Sequence, residues 1–124
     1  MKLLTKELRE RLLANGRDRD TDHLPVVKFF HPSGSATWLI TDMDHRDNDS
    51  LFGLCDLGRA SPELGYVSLR ELASICNRYG VGIERDIHFA PKHPLSVYTK
   101  AAQDHGEIVE SKELLQQAAE DTAP

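Results

Sequence analysis

No apolar run in this 124-residue chain approaches the roughly 20 consecutive apolar residues that cross a bilayer. A membrane-spanning helix is therefore not expected. The opening Met1–Glu7 brings in Lys2, Lys6 and Glu7 at once and has no apolar stretch of the secretory kind, which points to the cytoplasm. Cysteine is scarce. Cys55 and Cys76 each follow an apolar residue, and neither belongs to a Cys-x-x-Cys pair. That excludes a disulfide framework and the usual zinc spacing, and predicts two buried, reduced thiols. Positive charge is also short: 15 Lys and Arg stand against 20 Asp and Glu, for a net charge of −5. No basic stripe tracks a phosphate backbone, so general nucleic-acid binding is not expected. Internal repeats and low-complexity tracts are absent too.

What is present suits one modest core, with 40% apolar residues. The charge is unevenly spread. Residues 42–63 hold six acidic and two basic side chains, and residues 101–124 hold six acidic and one basic. Both stretches on either side of the first of these lean basic.

The chain punctuates itself clearly. Thr5 can cap a helix over Lys6–Ala14 that Asn15-Gly16 closes. Val26–His31 reads as a strand with apolar residues on both sides. Pro32–Ser35 reads as a hairpin turn, Ala36–Met43 as a second strand and Leu51–Asp56 as a third, giving an antiparallel meander. Gly65–Val67 is a short fourth strand. Ser68-Leu69-Arg70-Glu71 is a capping box, in which Ser68 accepts from the Glu71 amide while Glu71 reaches back. It opens a helix expected to run to about Tyr79, with Gly80 closing it. Ile83–Phe89 reads as a fifth strand, with Ile83, Ile87 and Phe89 on one face. Helices are expected over Leu95–Asp104 and Ser111–Glu120, with 120–124 disordered. The pattern predicts an α+β fold: a mostly antiparallel sheet of four to five strands, with two to four helices on one face or at one end. Residues 1–104 form the domain in this reading. Residues 105–124 are an acidic extension, partly helical or disordered.

Chemistry-bearing candidates are few. Asp42, Asp44, His45, Asp47 and Asp49 crowd one segment, and hard oxygen ligands of this kind suit a divalent cation. The calcium-loop glycine is missing, however, and the segment joins two strands, so a solvated polar turn explains it without a metal. Asp42, Asp44, His45 and Asp49 stay as weak metal candidates. His31 and His88 lie near strand ends before prolines, where convergence would allow acid–base work. Ser33 and Ser35 sit in a hairpin and Ser68 in a cap, none of them in a nucleophile elbow. Gly80-Val81-Gly82 follows a helix, the reverse of a phosphate loop. Arg85, at an apolar strand position beside Asp86, needs a carboxylate, and Asp56 or Glu63 is the expected partner. Trp38, Phe52 and Tyr66 are candidate interface aromatics, although a strand Trp is more often core.

Several blocks together carry a resemblance: Met1–Arg9; Val27–Pro32 with Trp38 after it; Leu51–Asp56; Pro62–Leu72; and Ile83–Asp86 leading to Phe89 and Pro91. Over residues 1–100 the chain resembles a small bacterial family catalogued as domain of unknown function 2958. The resemblance implies carriage on plasmids, conjugative elements and phages, near antirestriction or plasmid-upkeep genes. It brings no catalytic residue and no cofactor. With the charge pattern and the lack of a catalytic signature, it leads to the expectation of a mobile-element accessory protein. Such a protein would bind another protein, host or element encoded, with host defence as one target, through residues among Trp38, Asp42, Asp44, Asp56, Glu63, Tyr66, Arg85 and Asp86. The alternatives are a small metal-dependent hydrolase or nuclease built on the Asp42–Asp49 turn, and a DNA-binding regulator.

Overall fold

The computed structural model describes residues 2–123. Its order is α1 (Lys6–Gly16), β1 (Val27–Phe30), β2 (Thr37–Met43), β3 (Ser50–Asp56), β4 (Glu63–Ser68), α2 (Leu69–Ser74), β5 (Glu84–Arg85), α3 (Leu95–His105) and α4 (Lys112–Thr122). The five strands form one antiparallel sheet in the order β4-β3-β2-β1-β5. The α+β class and the meander are as the sequence predicts. No helix among the described residues is long and apolar enough to cross a membrane.

The helices divide across both faces of the sheet rather than lying on one face or at one end. β2 and β3 carry apolar side chains on alternate residues in both directions, so each face needs its own cover. One core joins Leu12 of α1 and Leu72 of α2 to Val27, Phe29, Trp38, Ile40, Met43 and Leu51. The other joins Leu39 and Leu54 to Leu95, Tyr98, Ala101 and Ala102 of α3 and to Leu115 and Ala118 of α4. α4 thus packs into the second core with α3 and stays helical to Thr122; the predicted end of order at Glu120 is moved outward by this packing.

The Thr5 and Ser68 caps are as read, and Ser111, expected as the first residue of the last helix, caps α4 instead. Thr5 accepts from the Leu8 amide at 3.1 Å, Ser68 from the Glu71 amide at 3.1 Å and Ser111 from the Leu114 amide at 3.3 Å. The second arm of the Ser68 cap comes from elsewhere, however. Asp49 accepts from the Ser68 hydroxyl at 2.6 Å and the Arg70 amide at 2.9 Å, and its carbonyl accepts from the Leu69 amide at 3.0 Å.

Two elements are shorter than predicted. α2 stops at Ser74, whose hydroxyl returns to the Glu71 carbonyl at 2.7 Å, and Ile75 turns extended. The chain then doubles back through a Cys76–Gly82 bridge. The Asn77 side chain holds the Tyr79 and Val81 amides in this turn at 2.9 and 3.0 Å, competing with helix as Asn does. Cys76 is consequently exposed, not buried; Cys55 is half-buried, and desolvation pushes its thiol pKa up. β5 keeps only Glu84 and Arg85, because Asp86 starts a turn. Ile83 therefore enters the first core, Phe89 packs against the second, and Ile87 is exposed. β4 is longer than predicted, six residues from Glu63.

Two glycines mark close approaches. A Cβ on Gly16 would overlap the Met43 carbonyl oxygen, where the end of α1 lies on β2. A Cβ on Gly53 would overlap the Leu39 carbonyl oxygen and lie 2.8 Å from the Ile40 Cα.

Candidate functional site

The acidic segment between β2 and β3 is a set of turn bonds. Asp44 accepts from the Arg46 amide at 2.8 Å and from its guanidinium at 3.0 and 2.8 Å. These bonds hold its pKa down at about 2. Asp47 accepts from the Asp49 and Ser50 amides, both at 2.9 Å, and from the Ser50 hydroxyl at 2.5 Å. The hydroxyl first, then the amides, keep its pKa low. Asp49 faces α2, and its pKa is lowered chiefly by the Ser68 hydroxyl and the Arg70 amide. His45 is exposed. Among the described residues no three His, Cys, Asp or Glu side chains form a group that could hold a metal ion. The weak metal candidates Asp42, Asp44, His45 and Asp49 therefore do not converge, because each turn carboxylate is aimed at a nearby amide or hydroxyl.

The other predicted binding residues are scattered. Trp38 is buried in the first core. Asp56 is buried and accepts from the Gly58 amide at 2.9 Å and the Ile108 amide at 3.0 Å, tying the α3–α4 connection to the sheet. Glu63 is exposed at the start of β4. Arg85 meets no carboxylate of Asp56 or Glu63. Its guanidinium donates to the Lys2 and Leu3 carbonyls at 3.1 and 2.8 Å and fastens the chain's start to β5. Asp86 accepts from the His88 amide at 2.9 Å and lies 3.6 Å from the Lys28 ammonium, which also reaches Glu110 at 2.6 Å. The Nδ1 of His31 accepts from the Ser33 amide at 3.1 Å, a turn bond.

Asp42 and Tyr66 do come together. The ladder between β2 and β3 slips at Thr41, so that Ile40 opposes Gly53 and Asp42 opposes Phe52. Strict alternation would put Asp42 on the Ile40 side, inside the first core. The extra residue moves it to the opposite face, beside Phe52. Asn15 at the end of α1 pins this bulge by donating to the Thr41 carbonyl at 2.9 Å. The Thr41 hydroxyl donates to Asp42 Oδ1 at 2.8 Å.

Phe52 and Tyr66 are cross-strand neighbours, with ring centroids 5.1 Å apart and tilted by 57°. Arg19, from the polar loop after α1, lies over both rings at 5.6 and 5.3 Å and donates to the Tyr66 hydroxyl. Its Nε is 3.5 Å from Asp42 Oδ2. The Arg19 side chain is 45% exposed and that of Asp42 only 8%. Together they edge a cleft of about 350 Å³ that His23, Thr41, Leu64 and Thr99 also line. Sequence reasoning missed Arg19, while Phe52 was a candidate interface aromatic along with Tyr66. The 17–22 loop has no periodicity to reveal Arg19.

β4 borders this cleft and is an outer strand of the sheet. The Leu69 amide pairs with the Asp49 carbonyl at 3.0 Å. Antiparallel ladders alternate, so in the same register Val67, Gly65 and Glu63 bond to β3, whereas Leu64 and Tyr66 turn their backbone groups outward; the carbonyl of Ser68, the N-cap, goes to the first turn of α2. On this edge the side chains of Leu64 and Tyr66 are 47% and 57% exposed. A larger open groove of about 950 Å³ lies on the other side of the molecule, between Leu3–Lys6 and the Ile75–Gly82 turn.

A family model described as a protein of unknown function, DUF2958, matches residues 3–109. No curated protein and no solved structure matches the chain.

Proposed function

Because the chain belongs to the DUF2958 family, whose description assigns no activity, we propose from its geometry that the protein is a non-catalytic protein-binding module. It takes an extended segment of its partner along the β4 edge. The observation that carries this reading is the open edge itself. Leu64 and Tyr66 aim unpaired backbone donors and acceptors outward, and both present large exposed side chains. Edge strands are usually blunted by Lys, Pro or a bulge inside the strand. β4, Glu-Leu-Gly-Tyr-Val-Ser, contains none of the three. Strand addition uses main-chain bonds for affinity and alternate side-chain pockets for selectivity, and Leu64 and Tyr66 flank the cleft that would receive one such side chain. The partner is another protein, host or element encoded, in the mobile-element setting that the resemblance implies.

The hydrolase reading has no converging carboxylates to support it. The regulator reading needs two successive helices with a basic recognition face. The successive pair here, α3 and α4, spans residues 95–122 with six acidic and two basic side chains.

The test is affinity capture from a bacterial host lysate with the whole protein, side by side with Leu64→Pro. Proline there removes one outward amide and leaves the β3 ladder whole. A partner retained in stoichiometric amount by the parent and lost by the folded variant is expected. Equal retention by both, or no partner at all, overturns the reading.

A further inference from the structure

The cleft beside β4 holds a charge that its own chain serves poorly. Asp42 is more than nine-tenths buried. One of its oxygens accepts from Thr41 at 2.8 Å, and the other faces the cleft with Arg19 Nε at 3.5 Å, beyond good hydrogen-bonding distance. A carboxylate so far from water calls for a full cationic partner. Above it, Phe52 and Tyr66 present ring faces that attract a cation. Arg19 meets both demands only in part, from an irregular loop and with nearly half its side chain in solvent.

We infer that Asp42, Phe52 and Tyr66 form a receptor for an arginine side chain, which Arg19 fills from within the chain until an arginine of the partner takes its place. A planar guanidinium can stack on the rings while forking onto Oδ2 and the Tyr66 hydroxyl, which an ammonium cannot do. The occupant is argued from charge and geometry. The guanidinium already there shows what the cleft accepts, and Asp20 and Asp22 on its rim add negative charge. The identity of the partner residue rests on the β4-edge reading, since an extended segment on that edge would pass the mouth of the cleft. The receptor itself does not depend on that reading.

The probe is N-acetyl-arginine amide, with the citrulline analogue as its neutral match. Each is titrated into the whole protein and into Arg19→Ala, and amide shifts of Thr41, Phe52 and Tyr66 are followed by two-dimensional NMR. Vacating the site should raise the affinity for the arginine probe about tenfold, as expected when a tethered competitor leaves only about a tenth of the sites free. Citrulline should give no saturable shift, and Asp42→Asn added to Arg19→Ala should abolish binding. Arg19→Gln serves as the vacated form if Arg19→Ala loses spectral dispersion. Equal responses to arginine and citrulline, equal affinity of parent and vacated forms, or shifts outside the cleft would each overturn the inference. The two readings fail separately, because the titration needs no partner: saturable arginine binding by Arg19→Ala with no partner captured from lysate would keep the receptor and overturn the β4-edge reading alone.

Discussion

Replacing Asp49 by alanine removes the bonds to the Ser68 hydroxyl at 2.6 Å and the Arg70 amide at 2.9 Å, and leaves the Leu69–Asp49 backbone bond in place. Hydrogen bonds to a charged acceptor contribute about 1.5–3 kcal/mol each when buried. Asp49 keeps 18% of its side-chain exposure, so water recovers part of that. Arg70, at 3.8 Å and mostly in solvent, adds at most a few tenths of a kcal/mol. A lost helix cap alone costs about 1 kcal/mol. The sum expected for Asp49→Ala is about 2 kcal/mol, or a fall in Tm of about 8 °C for a domain of this size. Urea titration with an unchanged slope would measure it. Amide exchange should quicken in α2 before it does in β2. A double-mutant cycle with Ser68→Ala should give a coupling of about 1 kcal/mol. A loss below about 0.5 kcal/mol, or one that appears only after divalent metal is removed, would refute the capping account.

Gly16→Ala sets two effects against each other. Alanine gains up to about 1 kcal/mol of helix propensity, while overlap with the Met43 backbone costs about 1–3 kcal/mol or more. The clash should win, and a variant as stable as the parent in thermal melts would show that α1 sits farther from β2. The pKa values of Asp44, Asp47 and Asp49 are lower folded than their ordinary 3.8. Their contribution is therefore complete above that value and is lost as pH falls through the folded values, near 2 for Asp44. Stability should drop between about pH 4 and pH 2, and less steeply in Asp47→Asn; an equal slope in both proteins would contradict the assignment.

What the sequence revealed was mostly local. Thr5 and Ser68 sit a fixed three residues from the amides they cap, so their helices could be read without knowing the fold. The meander followed from apolar runs and the Pro32–Ser35 turn. What escaped depends on residues distant in the chain. Arg85 finds the Lys2 and Leu3 carbonyls more than 80 residues back, a place that no carboxylate count would suggest. α2 ends early because Gly82 pairs with Cys76. At the candidate site the sequence singles out Asp42, Phe52 and Tyr66, the carboxylate and the two aromatics for unrelated reasons. Their meeting depends on the Thr41 bulge and so on Asn15, and Arg19 completes it from a loop with no pattern of its own.

The burial of β2 and β3 on both sides has a consequence for how the chain finds its alignment. In a half-exposed strand a one-residue slip is punished because polar side chains are driven inward. Here a slip would exchange one greasy layer for another, and solvent would hardly discriminate. Steric exclusion has to do that work. Gly53 can lie across from Ile40 because it has no side chain, whereas its neighbours Phe52 and Leu54 would be forced into the Leu39 carbonyl at the same spot. A single missing methyl thus acts as the index mark by which the two central strands are set in step, and with them the distance between Asp42 and the aromatic pair.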